Sequence, residues 1–310
     1  MDLNVFLSRH GLALGLIVLG AIGASQPAAV DDPLRQKALL VLRAALEHEE
    51  RWIKVHAAEA LLSLDDPQGV ARTFEIELAT KGGEPQYRIG IWRVLAQATR
   101  GDQPREHWIN RILAAFLDTL GPDRLHASET LAKLGYQASE RAAEAFELAA
   151  RSRRGPLAVN ARWILANGGR ADSDILLAEL LESDDRGTRA DAAYAIRHFQ
   201  KLSATAREKL VAAALKEPRD RNGRVSLMSA AFVHAPVDQK AHFKVELLKY
   251  ARTGTNEEKY EVCAALAKDG QDDDLPLLSG LLDDEDPDVR VGAAHAILRI
   301  GRRERQQRPH

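Results

Sequence analysis

One helical pattern recurs eight times between residues 52 and 301, and this repetition limits the folds that the chain can adopt. Aligned copies share lysine or arginine at their second position, with Ala158 as the exception. Successive copies lie 31 to 36 residues apart. A period of this length is typical of arrays built from two helices per repeat. The second positions are Lys54, Arg88, Arg124, Ala158, Arg189, Arg224, Lys259 and Arg290.

A second set of helices is predicted between these copies, from apolar residues at helical spacing. Asp, Pro and Gly mark the junctions, as in the turn at 284–288, where Asp can cap free backbone N–H groups and Pro suits a first helical turn. The chain is therefore predicted to be all-α, with about eight helical hairpins. The predicted first helices cover residues 33–48, 67–79, 105–118, 138–151, 172–183, 204–215, 237–251 and 273–283.

The repeat resembles the HEAT-like family, in the short bacterial form also found in phycobilin lyases. The shared pattern is a charged turn with proline, then Val-Arg, two spacers, Ala-Ala, a spacer, Ala-Leu and a closing Leu-Gly, and residues 286–301 fit it almost completely. The resemblance implies a right-handed α-solenoid over residues 26–301, with the second helices on its concave face. It implies little about function, because the family ranges from scaffolds to lyase components.

Charge and cysteine content narrow the functional classes. The chain has 43 Lys and Arg against 45 Asp and Glu, a net charge of -2, so we expect no nucleic-acid partner. The one basic cluster is a predicted tail over residues 302–310. The single cysteine, Cys263, cannot form an intrachain disulfide and is expected to be buried in an Ala-rich helix.

The amino terminus resembles a secretory signal. Arg9 precedes an uninterrupted apolar and glycine run over residues 11–24, which small residues follow. We therefore predict a signal peptide over residues 1–25 and an exported chain, periplasmic or extracellular, with no stable membrane span after cleavage. The alternatives are a buried first helix or an amino-terminal membrane anchor.

Functional residues are predicted on the concave face, where the fourth and seventh positions of each copy are expected to be exposed together, because positions three apart share one helical face. Polar and aromatic side chains concentrate at these positions in the first five repeats, whereas the last three repeats have few side chains of functional type there. The candidate binding residues are His56, Glu59, Arg93, His126, Glu129, Asn160, Trp163, Asp191 and Tyr194.

Two copies have His-Ala-x-Glu with His at the fourth and Glu at the seventh position, at residues 56–59 and 126–129. A metal site shared by both is disfavoured, because helices two repeats apart are separated by about twice the usual 8 to 10 Å. Arg93 of the intervening copy would also oppose a cation. The remaining interpretations are a structural pairing of Arg93 with Glu59 or Glu129, and the recognition of a polar or anionic group such as a peptide carboxylate or a sugar.

No motif for catalysis is present in the sequence: the chain has no Gly-rich phosphate loop, no His-Glu-x-x-His and no Gly-x-Ser-x-Gly. We predict a non-enzymatic scaffold, without metal or cofactor, that binds a protein or peptide on its concave face. The alternatives are an accessory or lyase-type protein, and a binder of a carbohydrate or another anionic small ligand. Because the last repeat has no obvious polar cap, a further domain or an oligomer is expected to cover it.

Overall fold

The computed structural model describes residues 32–99, 101–169, 173–218 and 223–307, which contain helices and turns and no strand. The signal peptide predicted over residues 1–25 lies outside this described part. Sixteen α-helices follow one another in the described part, with short 3₁₀ helices at Glu179–Glu182 and Asp272–Asp274. The odd-numbered helices are α1 (Pro33–His48), α3 (Val70–Lys81), α5 (Asp102–Leu117), α7 (Glu140–Ala150), α9 (Ser173–Ala178), α11 (Ala204–Lys216), α13 (Val237–Thr253) and α15 (Leu275–Leu281). The even-numbered helices are α2 (Arg51–Ser63), α4 (Tyr87–Ala98), α6 (Arg124–Lys133), α8 (Pro156–Asn167), α10 (Arg186–Arg197), α12 (Arg224–His234), α14 (Asn256–Asp269) and α16 (Pro287–Gln307).

The even-numbered helices form an inner layer that closes on itself. Each packs against the next, from α2 to α16, and α16 packs in turn against α2. The odd-numbered helices lie outside this layer, each against its own inner helix, and α1 packs against both α2 and α16. The described part of the chain from Pro33 onward is therefore a closed ring of helices. The last repeat thus packs against the first through α16 and α1.

Small residues allow the inner helices to approach closely. Ala57, Ala58, Ala293 and Ala294 at the fifth and sixth positions are fully buried. Gly90 is required by the same approach, because a Cβ atom there would lie 2.9 Å from the ring of Trp52. The alanine-rich copies thus bury their inner faces by stacking, as the pattern predicts.

Six of the eight second positions carry a basic side chain that forms an ion pair with the adjacent repeat, as expected for a structural role, and these pairs form a ladder. Lys54 pairs with Glu77 at 3.2 Å and Arg189 with Glu217 at 2.8 Å. The ladder continues across the closure of the ring, where Arg290 of the last repeat lies 3.5 Å from Glu49. The remaining pairs are Arg88 with Asp123, Arg224 with Glu246 and Lys259 with Asp284.

Further polar contacts join the two ends of the chain. Lys37 Nζ lies 2.7 Å from Asp283 Oδ1, between α1 and the turn before α16. Arg302 pairs with Asp65 of the first repeat, whereas Arg303 donates to the carbonyl oxygens of Ala267 and Gly270 and so joins α16 to the preceding repeat. Helix α16 continues to Gln307, so residues 302–307 of the predicted basic tail are helical.

Candidate functional site

A central cavity lies inside the ring. It has a volume of about 450 Å³ and is lined by side chains of α2, α4, α6, α10, α14 and α16. Contacts that span it join inner helices which are not neighbours: Tyr194 of α10 donates to Glu129 of α6, and Arg197 of α10 pairs with Glu261 of α14. The closed inner layer therefore surrounds a narrow pocket, which replaces the open concave face expected from the sequence.

Half of the polar side chains of the cavity wall come from one repeat position that the sequence analysis did not select. This eleventh position lies four residues after the seventh, so the fourth, seventh and eleventh positions share one helical face. The sequence analysis would have identified the eleventh position if it had followed the same helical face for one more turn. Its members in the cavity wall are Ser63, Gln97, Lys133, His198, Lys268 and Arg299.

The carboxy-terminal repeats also contribute more than their fourth and seventh positions suggest. Tyr260, Lys268, His295 and Arg299 of α14 and α16 all line the cavity. The last three repeats were expected to contribute few functional side chains, and this expectation is wrong for two of them. Ring closure explains the difference, since it brings α14 and α16 beside α2.

Arg93 is buried in an ion pair and does not line the cavity. Its side chain is 3% exposed, its Nε lies 2.8 Å from Glu59 Oε1, and its Nη1 donates to Thr130 Oγ1 at 3.2 Å. The expectation that Arg93 is exposed is wrong, because the closely packed α2, α4 and α6 enclose it. The structural pairing proposed for it is confirmed with Glu59, which also accepts from Gln97 at 3.0 Å.

Glu129 pairs with Lys133 on its own helix and with Tyr194 across the ring. The distances are 2.8 Å to Lys133 Nζ and 3.1 Å to the Tyr194 hydroxyl. The ammonium of Lys133 is the main cause that lowers the pKa of Glu129 to about 2, against burial, and Arg93 adds to the effect. Glu129 is thus ionised, and the ammonium of Lys133 balances its charge.

The two predicted His-Ala-x-Glu pairs have separate partners. His56 lies 2.7 Å from Asp288 through its Nδ1 and stacks on Tyr260, with ring centroids 5.1 Å apart. His126 stacks on Trp52, with centroids 5.5 Å apart. Within the described ranges no group of three His, Cys, Asp or Glu is placed to hold a metal ion.

The exposure predicted for Asn160 and Trp163 of α8 is also wrong. Asn160 donates to Ser128 Oγ at 3.0 Å. Trp163 is 3% exposed and packs against Tyr194 and His198 of α10, which cover it. Trp163 therefore packs behind residues that line the cavity and does not itself reach the cavity.

Asp191 of α10 is partly buried. Burial, followed by the negative charges of Glu129 and Asp185, raises the pKa of Asp191 to about 6. Among the nine predicted binding residues, the cavity wall includes only His56, Glu59 and Tyr194.

Positive charge dominates one end of the cavity. Burial, followed by the guanidinium groups of Arg197 and Arg299, lowers the pKa of Lys268 to about 8. Burial and Arg299 lower the pKa of His295 to about 4, and burial and Arg197 lower the pKa of His198 well below its usual value. At neutral pH both histidines are uncharged, while Lys268 remains largely protonated.

We expect Lys268→Gln to stabilise the folded chain at neutral pH. The pKa of Lys268 in the folded state, about 8, lies below the ordinary value of 10.5, so the unfolded state binds more protons between these values. Stability therefore rises with pH in this window, and the penalty is fully present below it. The whole shift corresponds to about 3 kcal/mol. Because the Lys268 side chain is exposed to solvent, water reduces this to about 1 kcal/mol.

Urea unfolding near pH 7 and near pH 9.5 measures this effect, and the gain should be larger at the lower pH. Lys201→Gln is the matched control, since Lys201 is an exposed lysine away from the cavity. A Lys268→Gln variant that is less stable than the wild type near pH 7 would contradict the charge distribution described here.

Comparisons with known proteins provide no identification. No protein-family model matches the chain, and no curated protein is similar to it. Among the described helices, none combines the length and the apolar character that a membrane crossing requires.

Proposed function

We propose that this chain is a non-enzymatic, HEAT-like binding scaffold whose central cavity accepts a peptide segment of a protein partner. The observation that carries the proposal is the cavity itself, about 450 Å³ in volume and lined by the polar eleventh position. Ligand pockets in proteins commonly measure about 300 to 1,000 Å³. The cavity is therefore of a size to take one segment or chain end, and too small for a folded surface.

The composition of the wall supports a peptide ligand. Tyr194, Tyr260, Ala264 and Ala267 offer aromatic and apolar surface to side chains. Gln97 provides an amide at the same surface for the ligand's backbone N–H and C=O groups. Ligand sites combine apolar surface with polar groups that fix the orientation of the ligand.

The finer architecture that we propose is a right-handed superhelix of eight HEAT-like hairpins. The alternation of outer and inner helices supports this count, and so does the ion-pair ladder, which links most neighbouring repeats and joins Arg290 to Glu49. We also propose that residues 1–25 act as a signal peptide and that the chain is exported, on the basis of the apolar run that follows Arg9.

A second candidate function is the binding of an anionic small molecule in the same cavity. Lys268 and Arg299 favour it, because they place two positive charges in the wall. Both candidates use the same cavity, and they differ in whether the ligand is part of a polypeptide chain.

Blocking the cavity tests the proposal. Ala264→Phe would place an aromatic ring in the central cavity, whereas Ala212→Phe would place the same ring at an exposed position of α11. We expect a random peptide library to yield sequences that bind the wild type and Ala212→Phe with equal affinity, and that lose binding to Ala264→Phe. Peptides that bind all three proteins equally, or a library that yields none, would contradict the proposal.

A further inference from the structure

The most unusual electrostatic feature of the cavity is a pair of cations without matching carboxylates. Lys268 of α14 and Arg299 of α16 occupy the eleventh position of neighbouring repeats and both line the cavity. Within the described part of the chain, neither has an ion pair with Asp or Glu. Three other cations nearby are matched: Arg93 with Glu59, Lys133 with Glu129, and Arg197 with Glu261.

The hydrogen bonds of these two side chains leave most of their donors free. Lys268 Nζ lies 3.4 Å from the carbonyl oxygen of His198, and Arg299 Nη1 lies 3.4 Å from that of Ser63. Both distances are at the long end for an N–H···O bond. An arginine carries five N–H donors and a lysine three, so an oxygen ligand in the cavity would find several of them available.

The surroundings also favour an anion. Besides burial, which is the main cause, Arg197 and Arg299 lower the pKa of Lys268, and Arg299 lowers the pKa of His295 although Glu59 raises it, so neighbouring positive charge acts on both groups. His295 is uncharged at neutral pH, and its Nε2 lies 2.9 Å from the Ser63 hydroxyl. A carboxylate would relieve the repulsion between the cations, since charge-assisted hydrogen bonds are stronger than neutral ones.

We propose that Lys268 and Arg299 form an anion site that binds a carboxylate of the ligand in the central cavity. The inference rests on the proposed binding function and specifies the chemistry of its ligand. A carboxylate at this place could be the end of a peptide chain or part of a free small acid. In either case the same two cations receive it, the guanidinium through paired N–H donors and the ammonium as a point charge.

The experiment compares four proteins: the wild type, Lys268→Gln, Arg299→Gln and the control Lys201→Gln. The probes are a pool of acetylated tripeptides with free carboxyl termini, the same pool with amidated termini, citrate and inorganic phosphate. Equilibrium dialysis followed by mass spectrometry measures the bound fraction of the organic probes, and isothermal titration calorimetry measures phosphate binding. Thermal unfolding shows that each variant is folded, and we expect Lys268→Gln to melt at the same or a higher temperature than the wild type.

We expect the free-acid tripeptides to bind the wild type and the control, and to bind either glutamine variant at least about tenfold more weakly, the loss of a charge-assisted contact. Amidation should weaken binding to the wild type by a similar factor. If citrate or phosphate binds with the same dependence on Lys268 and Arg299 and the tripeptides do not, the anion site is supported and the peptide function is wrong.

Two results would overturn the anion site. In the first, peptides bind the wild type and not Ala264→Phe, yet amidation and the glutamine variants change nothing. The cavity would then be a peptide site without carboxylate recognition, and the proposed function would stand. In the second, none of the carboxylate or phosphate probes binds the wild type.

Discussion

Replacing Arg93 with alanine is expected to lower the free energy of unfolding by about 3–5 kcal/mol, the usual effect of breaking a buried ion pair. The guanidinium is almost fully buried and lies between Glu59 and Thr130. Its removal leaves the Glu59 carboxylate without its main counter-charge. Arg93 also lies 6.0 Å from the Trp52 ring, and that cation–π contact would be lost too.

Chemical denaturation of the purified chain measures this loss. Arg72→Ala is the control, because Arg72 is exposed on α3, and it should change stability by less than about 0.5 kcal/mol. The double variant Arg93→Met, Glu59→Met should recover much of the stability, since it removes both charges together. If Arg93→Ala unfolds like the wild type and loses ligand binding, Arg93 is a ligand-binding residue and its structural assignment is wrong.

Opening the ring should have an effect of similar size. Val291 of α16 is 1% exposed and lies in the seam with α1, beside Val41, Ala44 and Ala45. Val291→Asp would place a carboxylate among these apolar side chains, and we expect a loss of about 3–5 kcal/mol, the range for an uncompensated buried charge. Urea unfolding monitored by circular dichroism provides the measurement.

The same substitution at an exposed valine is the control, because it distinguishes disruption of the α1–α16 contact from the general effect of replacing valine with aspartate. Val237 at the start of α13 is 87% exposed, and an acidic residue is favourable in a first helical turn, so Val237→Asp should leave stability nearly unchanged. Equal stability of Val291→Asp and the wild type would show that α1 and α16 do not pack together as described.

The helices of this fold are predictable from the sequence because their signals are local. Apolar spacing and turn residues predict first helices such as 33–48 and 204–215, and the structure has them at Pro33–His48 and Ala204–Lys216. The buried state of Cys263 was expected from its Ala-rich neighbours in the same way. These are properties of ten to twenty consecutive residues, which the pattern of side chains largely decides.

Closure of the ring was not predictable in this way. Whether the last repeat meets the first depends on small rotations between successive repeats, which accumulate over the whole array. The residues that join the ends, such as Lys37 and Asp283, lie 246 positions apart and carry no shared motif. The same reason explains the errors at Arg93, Asn160 and Trp163, whose exposure was predicted for an open concave face.

The ring underlies both the cavity and its anion site, and a zero-length cross-link tests it most directly. Carbodiimide joins a lysine amine to a carboxylate only when the two groups are in contact, and Lys37 and Asp283 are 2.7 Å apart with both side chains accessible. We predict that mass spectrometry of the monomer fraction will find the peptides of Lys37 and Asp283 joined, and that Asp283→Asn will abolish the link. A monomer that is modified elsewhere and never carries this link would be an open array, which would contradict the closed ring.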